Sequence, residues 1–458
     1  MWARKCYKTI LKILGYDDKK LIATTIILVV AALIVDTILL KVYDLLVKDP
    51  TSSMTTFLFI IIASIYCMGQ YIILKFVRVG SKEIRALKVL HFNILYNSIK
   101  IIQYALAAIL VYVVLQVALT SQYTTAFISI ATTISCILAC SMLVILTQRF
   151  FSWFKTNKDY VVFLYGLSAA VLAISTVILF VFVDIVISST KEDTIMPRVA
   201  GTSLFLVPGT TTDFLDRCFV ISSILSFILT WIATTMLLRN YSKKIGRLRF
   251  WLVVTIPLIY FTTQFFSLFF NIFVPLFRSD PVFYGIMLTF IFTFSKLVGA
   301  IFFGIAFWMV ARSIRPDSIA RKYMIMSAYG LMLLFISNQT NGIIVTPYPP
   351  FGLATISFMG LASFLLLVGI YSTAISVSED TKLRQTIRKF ALKESKLLDS
   401  IASAEMEQEI IQKATTIAKK HSDIMKEQTG IMPSMNENDV KDYLEQVIEE
   451  IKIQKKND

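Results

Sequence analysis

Histidine is almost absent from this 458-residue chain, which contains only His91 and His421. The five cysteines show no metal-binding spacing, and the closest two, Cys136 and Cys140, lie four residues apart on one apolar segment. Protein sites for zinc, copper or haem depend on imidazole or on closely spaced thiolates. These scarcities argue against a metal centre, and we expect no cofactor.

The sequence also lacks the short motifs that mark nucleotide-dependent or metal-dependent enzymes. It has no GxxxxGK[ST] loop, no GxGxxG after a strand and no HExxH, so the phosphate-cradling and zinc-binding geometries that these motifs build are missing. It contains no segment typical of a kinase, cyclase or methyl-acceptor domain either. We therefore predict that the protein is not an enzyme.

Charged residues make up only 16% of the sequence, against 56% apolar residues, whereas soluble proteins average about 25% charged. Residues 378–458 hold 30 of the 75 charged side chains, with 14 basic and 16 acidic, so the net charge of +15 lies in the apolar part. In the apolar part, an excess of basic residues indicates membrane topology and does not indicate binding to nucleic acid. The sequence predicts a basic cytoplasmic N-terminus (1–20), a transmembrane domain (21–377) and a cytoplasmic helical tail (378–458).

Apolar runs long enough to cross a bilayer recur along the transmembrane part. Loops on one predicted side carry 18 Lys and Arg residues and loops on the other side carry 6, and the richer side is cytoplasmic by the positive-inside rule. We predict an all-α polytopic bundle in the cell membrane, with both termini in the cytoplasm. Its ten spans are 21–40, 54–74, 101–120, 126–146, 160–187, 219–238, 250–274, 283–310, 323–345 and 351–375.

Lys296 is the most conspicuous residue of these spans, because a full charge stands at the midpoint of 283–310. A charge at that depth costs about 3 kcal/mol or more, which makes it a candidate functional residue. Asp36 and Asp184 are acidic residues within spans one and five, and a polar cluster interrupts span nine. We predict an outward-facing pocket for a small anion or zwitterion, formed by Lys296, Asp36, Asp184, Thr293, Asn338, Gln339 and Asn341.

Structural explanations stand beside this functional one. Asp184 lies near the end of its span, where an aspartate reaches the interface easily. For Asp36, a structural ion pair and a ligand-binding role are equally well supported. Span nine either ends at Ser337 or breaks within the membrane, which is tolerated only where protein or water covers the broken backbone.

The tail carries a seven-residue apolar repeat from residue 383 to residue 425. Its d positions are apolar throughout, while most of its a positions are polar, a pattern typical of a marginal coiled coil. We expect this face to bind a cytoplasmic protein or a second copy of the chain. The residues assigned to this association are Leu383, Phe390, Leu397 and Ile411.

The segment ISVSEDTKLRQTIRKFALKESKLLDSI, residues 375–401, begins with a helix-capping pattern. It resembles the membrane-proximal helix of uncharacterised multi-pass membrane proteins from ammonia-oxidising-type archaea. That family has no assigned activity, so the resemblance implies only an archaeal membrane location and a multi-pass architecture.

Three functions fit the sequence. The leading hypothesis is a membrane sensor, in which the outward-facing polar pocket is coupled to the associating cytoplasmic helix. The first alternative is a secondary transporter of a small anion or zwitterion that uses Lys296 and Asp36. The second is a membrane scaffold that binds no small molecule and whose buried charges are structural.

Overall fold

The computed structural model describes residues 18–46, 53–80, 90–120, 122–189, 209–239, 246–270, 294–314, 318–338, 349–379 and 396–429, together with residues 279–280, 283, 287 and several between 441 and 450. Regular structure in these residues is helical, and they contain no strand. The helices are α1 (Asp18–Leu46), α2 (Ser53–Gly80), α3 (Leu90–Thr120), α4 (Thr125–Thr156), α5 (Tyr160–Ser189), α6 (Thr211–Leu238), α7 (Arg247–Phe270), α8 (Phe294–Ser313), α9 (Ile319–Ser337), α10 (Leu353–Glu379) and α11 (Lys396–Thr429).

Nine helices in the described part of the chain, α1 to α6 and α8 to α10, are long and apolar enough to cross a membrane. The protein is therefore a multi-pass membrane protein, and nine of the ten predicted spans overlap these helices. The remaining predicted span, 250–274, overlaps α7, which is not among the nine. The count of ten spans stays a prediction. In the predicted ninth span, α9 ends at Ser337.

Helix α10 forms the centre of the bundle, and every one of its residues from 353 to 370 is buried. A helix that is apolar all round is expected to be enclosed in this way. It packs against α9, α4, α2, α1 and α3. Its small residues allow close packing: a Cβ built on Gly369 would lie 2.5 Å from the backbone nitrogen of Ser327 on α9. Helices α9 and α10 therefore touch almost backbone to backbone.

Helix α11, the long helix of the tail, packs against α10, α4 and α5 at one end of the bundle. We call this the tail end and the opposite end the far end. The first half of α11 contributes apolar side chains to this contact: Leu398, Ile401 and Ala404 are almost fully buried there. The second part carries three exposed isoleucines at seven-residue spacing, Ile410, Ile417 and Ile424.

The predicted association residues differ in how far the structure buries them and in whether it describes them. Leu397 is buried in the contact between α11 and the bundle, so its apolar side chain is used within the chain and does not face a partner. Ile411 is half-buried, one position from the exposed stripe. Leu383 and Phe390 lie outside the described residues. The exposed apolar face of α11 is thus shifted by one residue from the predicted repeat.

Candidate functional site

Lys296 lies in the first turn of the described part of α8, toward the far end. Its Nζ atom is 5.7 Å from the centre of the Phe219 ring on α6, which is within the range of a cation–π interaction. Phe219 is eight residues into α6, so the ammonium group lies about 12 Å below the far end of that helix. The Lys296 ammonium group thus lies level with the far-end third of α6.

The acidic group that the structure brings to Lys296 is Asp216, one turn before Phe219 on α6. The Asp216 carboxyl group is within electrostatic range of Lys296, and only 7% of the residue is exposed. The sequence prediction missed Asp216 because it began the sixth span at residue 219. A signal was present: Thr210 caps α6 by accepting a hydrogen bond from the backbone N–H of Asp213, and Thr-x-x-Asp is an N-terminal capping pattern.

Asn338 belongs to the same level of the bundle as Lys296. Gly304 of α8 packs against Ala328 and Met332 of the neighbouring helix α9. Counted from this contact, Lys296 and Asn338 each lie about two turns, or 12 Å, closer to the far end. Asn338 is only 4% exposed, and its Oδ1 atom accepts no hydrogen bond from the part of the chain that the structure describes. A buried amide oxygen therefore lies at about the same level as Lys296.

Asp36 binds the start of helix α10. Its carboxyl group is completely buried and accepts hydrogen bonds from the backbone N–H of Gly352 (2.9 Å), the backbone N–H of Thr355 (3.1 Å) and the Thr355 hydroxyl (2.7 Å). The N–H groups at the start of a helix lack intrahelical partners and carry the positive end of its dipole. Asp36 of α1 thus caps the N-terminus of α10, whereas the sequence analysis placed it in a pocket with Lys296.

The other predicted site residues are not brought into this arrangement by the described contacts. Asp184 is exposed on α5, which fits the structural explanation given above. Thr293, Gln339 and Asn341 lie outside the described residues. From the predicted set, Lys296 and Asn338 lie at about the same level of the bundle, and Asp216 and Phe219 lie near Lys296.

Below the charged pair, a row of hydroxyl groups continues along α6 toward the tail end. Ser168 on α5 hydrogen-bonds to the Thr230 hydroxyl and to the Ser226 carbonyl oxygen (3.1 Å), and Tyr165 hydrogen-bonds to Thr234 (3.0 Å). These small side chains let α5 and α6 pack closely, and each hydroxyl has a partner. They also form a buried polar seam from the middle of the bundle toward its tail end.

A groove of about 320 Å³ lies between α6, α7 and α8. Its lining is wholly apolar and includes Phe250, Pro257 and Phe302. A surface of this kind suits lipid tails and offers nothing to a charged ligand. The polar candidate site and the apolar groove are therefore separate features.

The contact between α11 and the bundle has a polar half as well as an apolar one. Trp153 of α4 donates its indole N–H to Glu405 (2.8 Å), and Gln408 donates to the Ser152 hydroxyl (2.8 Å). The Ser400 hydroxyl donates to Asp159 in the turn between α4 and α5 (2.6 Å). Directional side-chain bonds of this kind hold α11 in one register on the tail end.

No known protein family, curated protein or solved structure matches this chain. Function must therefore be argued from the site itself. An ammonium and a carboxyl group within electrostatic range of each other, with an aromatic ring and a buried amide oxygen at about the same level, can pair with the opposite charges of a zwitterion. They can equally hold a small anion at the lysine.

Proposed function

We propose that this protein is a membrane sensor whose ligand, a small zwitterion or anion, binds between Lys296 and Asp216. The bound ligand alters the packing of α8, α9 and α10, and this changes how α11 sits on the bundle. In the proposed orientation the far end faces outward and the tail end faces the cytoplasm, as the loop charges indicate. The output passes through a cytoplasmic partner or a second copy that binds the exposed face of α11.

The observation that carries this proposal is the continuity of packing from Lys296 to α11. Helix α8 packs on α9, α9 packs on α10, and α10 packs on α11. The middle contact is almost backbone to backbone at Gly330 and Gly369, so a shift of α9 must move α10. Packed interfaces of this kind pass on small displacements because they change between discrete arrangements and do not deform continuously.

Ligand binding at Lys296 is tested by thermal unfolding of the purified protein against amino acids, small anions and amines. A ligand at a hundred times its dissociation constant should stabilise the folded state by about 2.7 kcal/mol. We expect the shift to vanish in Lys296→Met. Lys100→Met is the matched control, since the Lys100 ammonium lies 5.6 Å from the Tyr104 ring, outside the site. A shift that survives in Lys296→Met would refute the site.

Coupling to the tail is tested by hydrogen exchange over residues 396–409. Glu405→Ala removes the acceptor of the Trp153 indole N–H, and a hydrogen bond to a charged group is worth about 1.5–3 kcal/mol. We expect hydrogen exchange of this segment to become at least about tenfold faster in this variant. Adding ligand to the wild-type protein should accelerate exchange in the same way. The control is Glu409→Ala, whose ion pair with Lys413 (2.6 Å) lies within α11 and is worth under about 1 kcal/mol.

A secondary transporter remains the second candidate because of the hydroxyl seam between α5 and α6. Ionisable residues inside a membrane bundle mark many proton and ion paths, and the hydroxyl seam continues along α6 from Asp216. Deleting residues 378–458 discriminates between the two functions when flux into proteoliposomes is measured. A transporter keeps its flux without the tail, whereas a sensor shows no flux in either form and loses its response.

A further inference from the structure

Helix α3 is attached to the bundle by a single narrow stripe of residues, and the middle of that stripe carries one amide. The stripe runs through Ile99, Gln103, Leu106 and Leu110, all of them almost fully buried. Gln103 has no exposed surface, yet neither its Nε2 nor its Oε1 atom has a hydrogen-bond partner in the part of the chain that the structure describes. An amide in such a position carries the desolvation cost of a donor and an acceptor at once.

A second buried amide lies at the same level on the neighbouring helix α2. Gln70 is only 2% exposed, and its Oε1 atom likewise has no partner among the described residues. The register is fixed by the Tyr96 hydroxyl, which donates to the Leu74 carbonyl oxygen (3.2 Å). From this contact, Gln103 is two turns and Gln70 one turn closer to the far end, so their Cα atoms lie within about one helical turn along the axis.

The two side chains lean toward each other along the helix axes. A Cα–Cβ bond tilts toward the N-terminus of its own helix, and α2 and α3 run in opposite directions. Gln70 therefore leans toward the far end and Gln103 toward the tail end, which removes most of the remaining offset. Helix α10 packs against both α2 and α3.

Three buried amide atoms have no hydrogen-bond partner among the residues that the structure describes, which indicates a further group beside them. Buried polar atoms in native proteins are almost always hydrogen-bonded, and in the hydrocarbon region bulk water cannot supply the bond. The missing group must donate to two amide oxygens and accept from one amide N–H. It must also be small, because the surroundings are closely packed helices. A single water molecule has this set of donors and acceptors.

We infer that α2, α3 and α10 enclose a binding site for a water molecule at the middle of the membrane, held by Gln70 and Gln103. The site fastens α3 to the bundle by a polar bridge in the centre of an otherwise apolar contact. It is independent of the ligand site at Lys296, and it does not depend on the proposed sensory function.

The full-length protein in lipid nanodiscs allows a direct test by X-ray hydroxyl-radical footprinting, in which side chains beside bound water are oxidised. Cys67 is one turn from Gln70 on α2 and lies about 21 Å from the start of that helix, where the lipid contributes no water. We expect oxidation of Cys67 in wild type and at least a fivefold decrease in Gln70→Met/Gln103→Met. Absence of oxidation at Cys67 in wild type would overturn the proposal.

Replacing Gln103 should change the stability of the protein in opposite directions depending on whether the site holds water or is empty. Gln103→Met keeps the length of the side chain but removes its amide. If water bridges the glutamines, the unfolding equilibrium constant should rise about tenfold, because Gln70 and the water lose a partner. If the site is empty, the substitution removes two unsatisfied atoms and the protein should become more stable, which would contradict the inference. Leu106→Met, one turn away, should change the constant by less than about threefold.

Discussion

Replacing Asp36 with alanine should lower the free energy of unfolding by about 3 kcal/mol, one of the two largest effects expected in this chain. The substitution leaves the N–H groups of Gly352 and Thr355 without their acceptor inside a buried part of the bundle. Loss of a helix cap costs about 1–2 kcal/mol, and an unsatisfied buried donor adds about 1–3 kcal/mol. Unfolding in mixed micelles at increasing fractions of dodecyl sulfate measures the change.

Asp184→Ala is the matched control for this experiment. Both aspartates lie within predicted spans, but Asp184 is exposed, so its removal should change stability by less than about 0.5 kcal/mol. Asp36→Asn retains one acceptor oxygen and should fall between wild type and Asp36→Ala. Equal stabilities of Asp36→Ala and Asp184→Ala would show that the cap on α10 contributes nothing.

The cap matters for more than stability because it fixes the far end of the central helix. Gly352 has a φ of 91°, a left-handed conformation that glycine adopts without strain, and this turn delivers the backbone to Asp36. The other end of α10 packs on α11. Helix α10 is thus held at both ends, so a shift of α9 acts on a helix whose position is defined.

The spans were predictable because length and hydropathy alone decide whether a helix can cross a bilayer. The ends of the helices were harder. Helix α3 begins at Leu90, although the predicted span began at residue 101, since Lys100 and the residues before it lower the local hydropathy. Gln103 was therefore at the edge of the predicted span, whereas in the structure it lies in the interior of a helix. The same error in α6 concealed Asp216.

The partners of the buried charges were not predictable from one sequence. Asp36 and Gly352 are 316 residues apart in the chain, and no local pattern records which helix ends meet. The tail illustrates a related difficulty. Its apolar repeat is periodic throughout, but the periodicity does not separate Leu397, which is buried on the bundle, from Ile417, which is exposed.

Gly369→Ala should be the other strongly destabilising substitution, and it tests the step between α9 and α10 directly. The added Cβ would lie 2.5 Å from the backbone nitrogen of Ser327 and 2.8 Å from the carbonyl oxygen of Tyr323. Backbone atoms cannot rotate away, so the two helices must separate. Overpacking typically costs 1–3 kcal/mol, and we expect about 3 kcal/mol here, measured by the same unfolding in mixed micelles.

Gly304→Ala is the control for Gly369→Ala, because the added Cβ would lie 3.2 Å from its nearest neighbour, the Cβ of Met332, and 3.4 Å from the Ala328 carbonyl oxygen, so a shift of a few tenths of an ångström accommodates it. It should cost less than about 1 kcal/mol. If coupling runs through α9 and α10, Gly369→Ala should also uncouple ligand binding from hydrogen exchange at residues 396–409, while the thermal shift produced by ligand persists. Persistence of both responses would place the route to α11 elsewhere in the bundle, and loss of both would mean that the Lys296 site itself depends on this crossing.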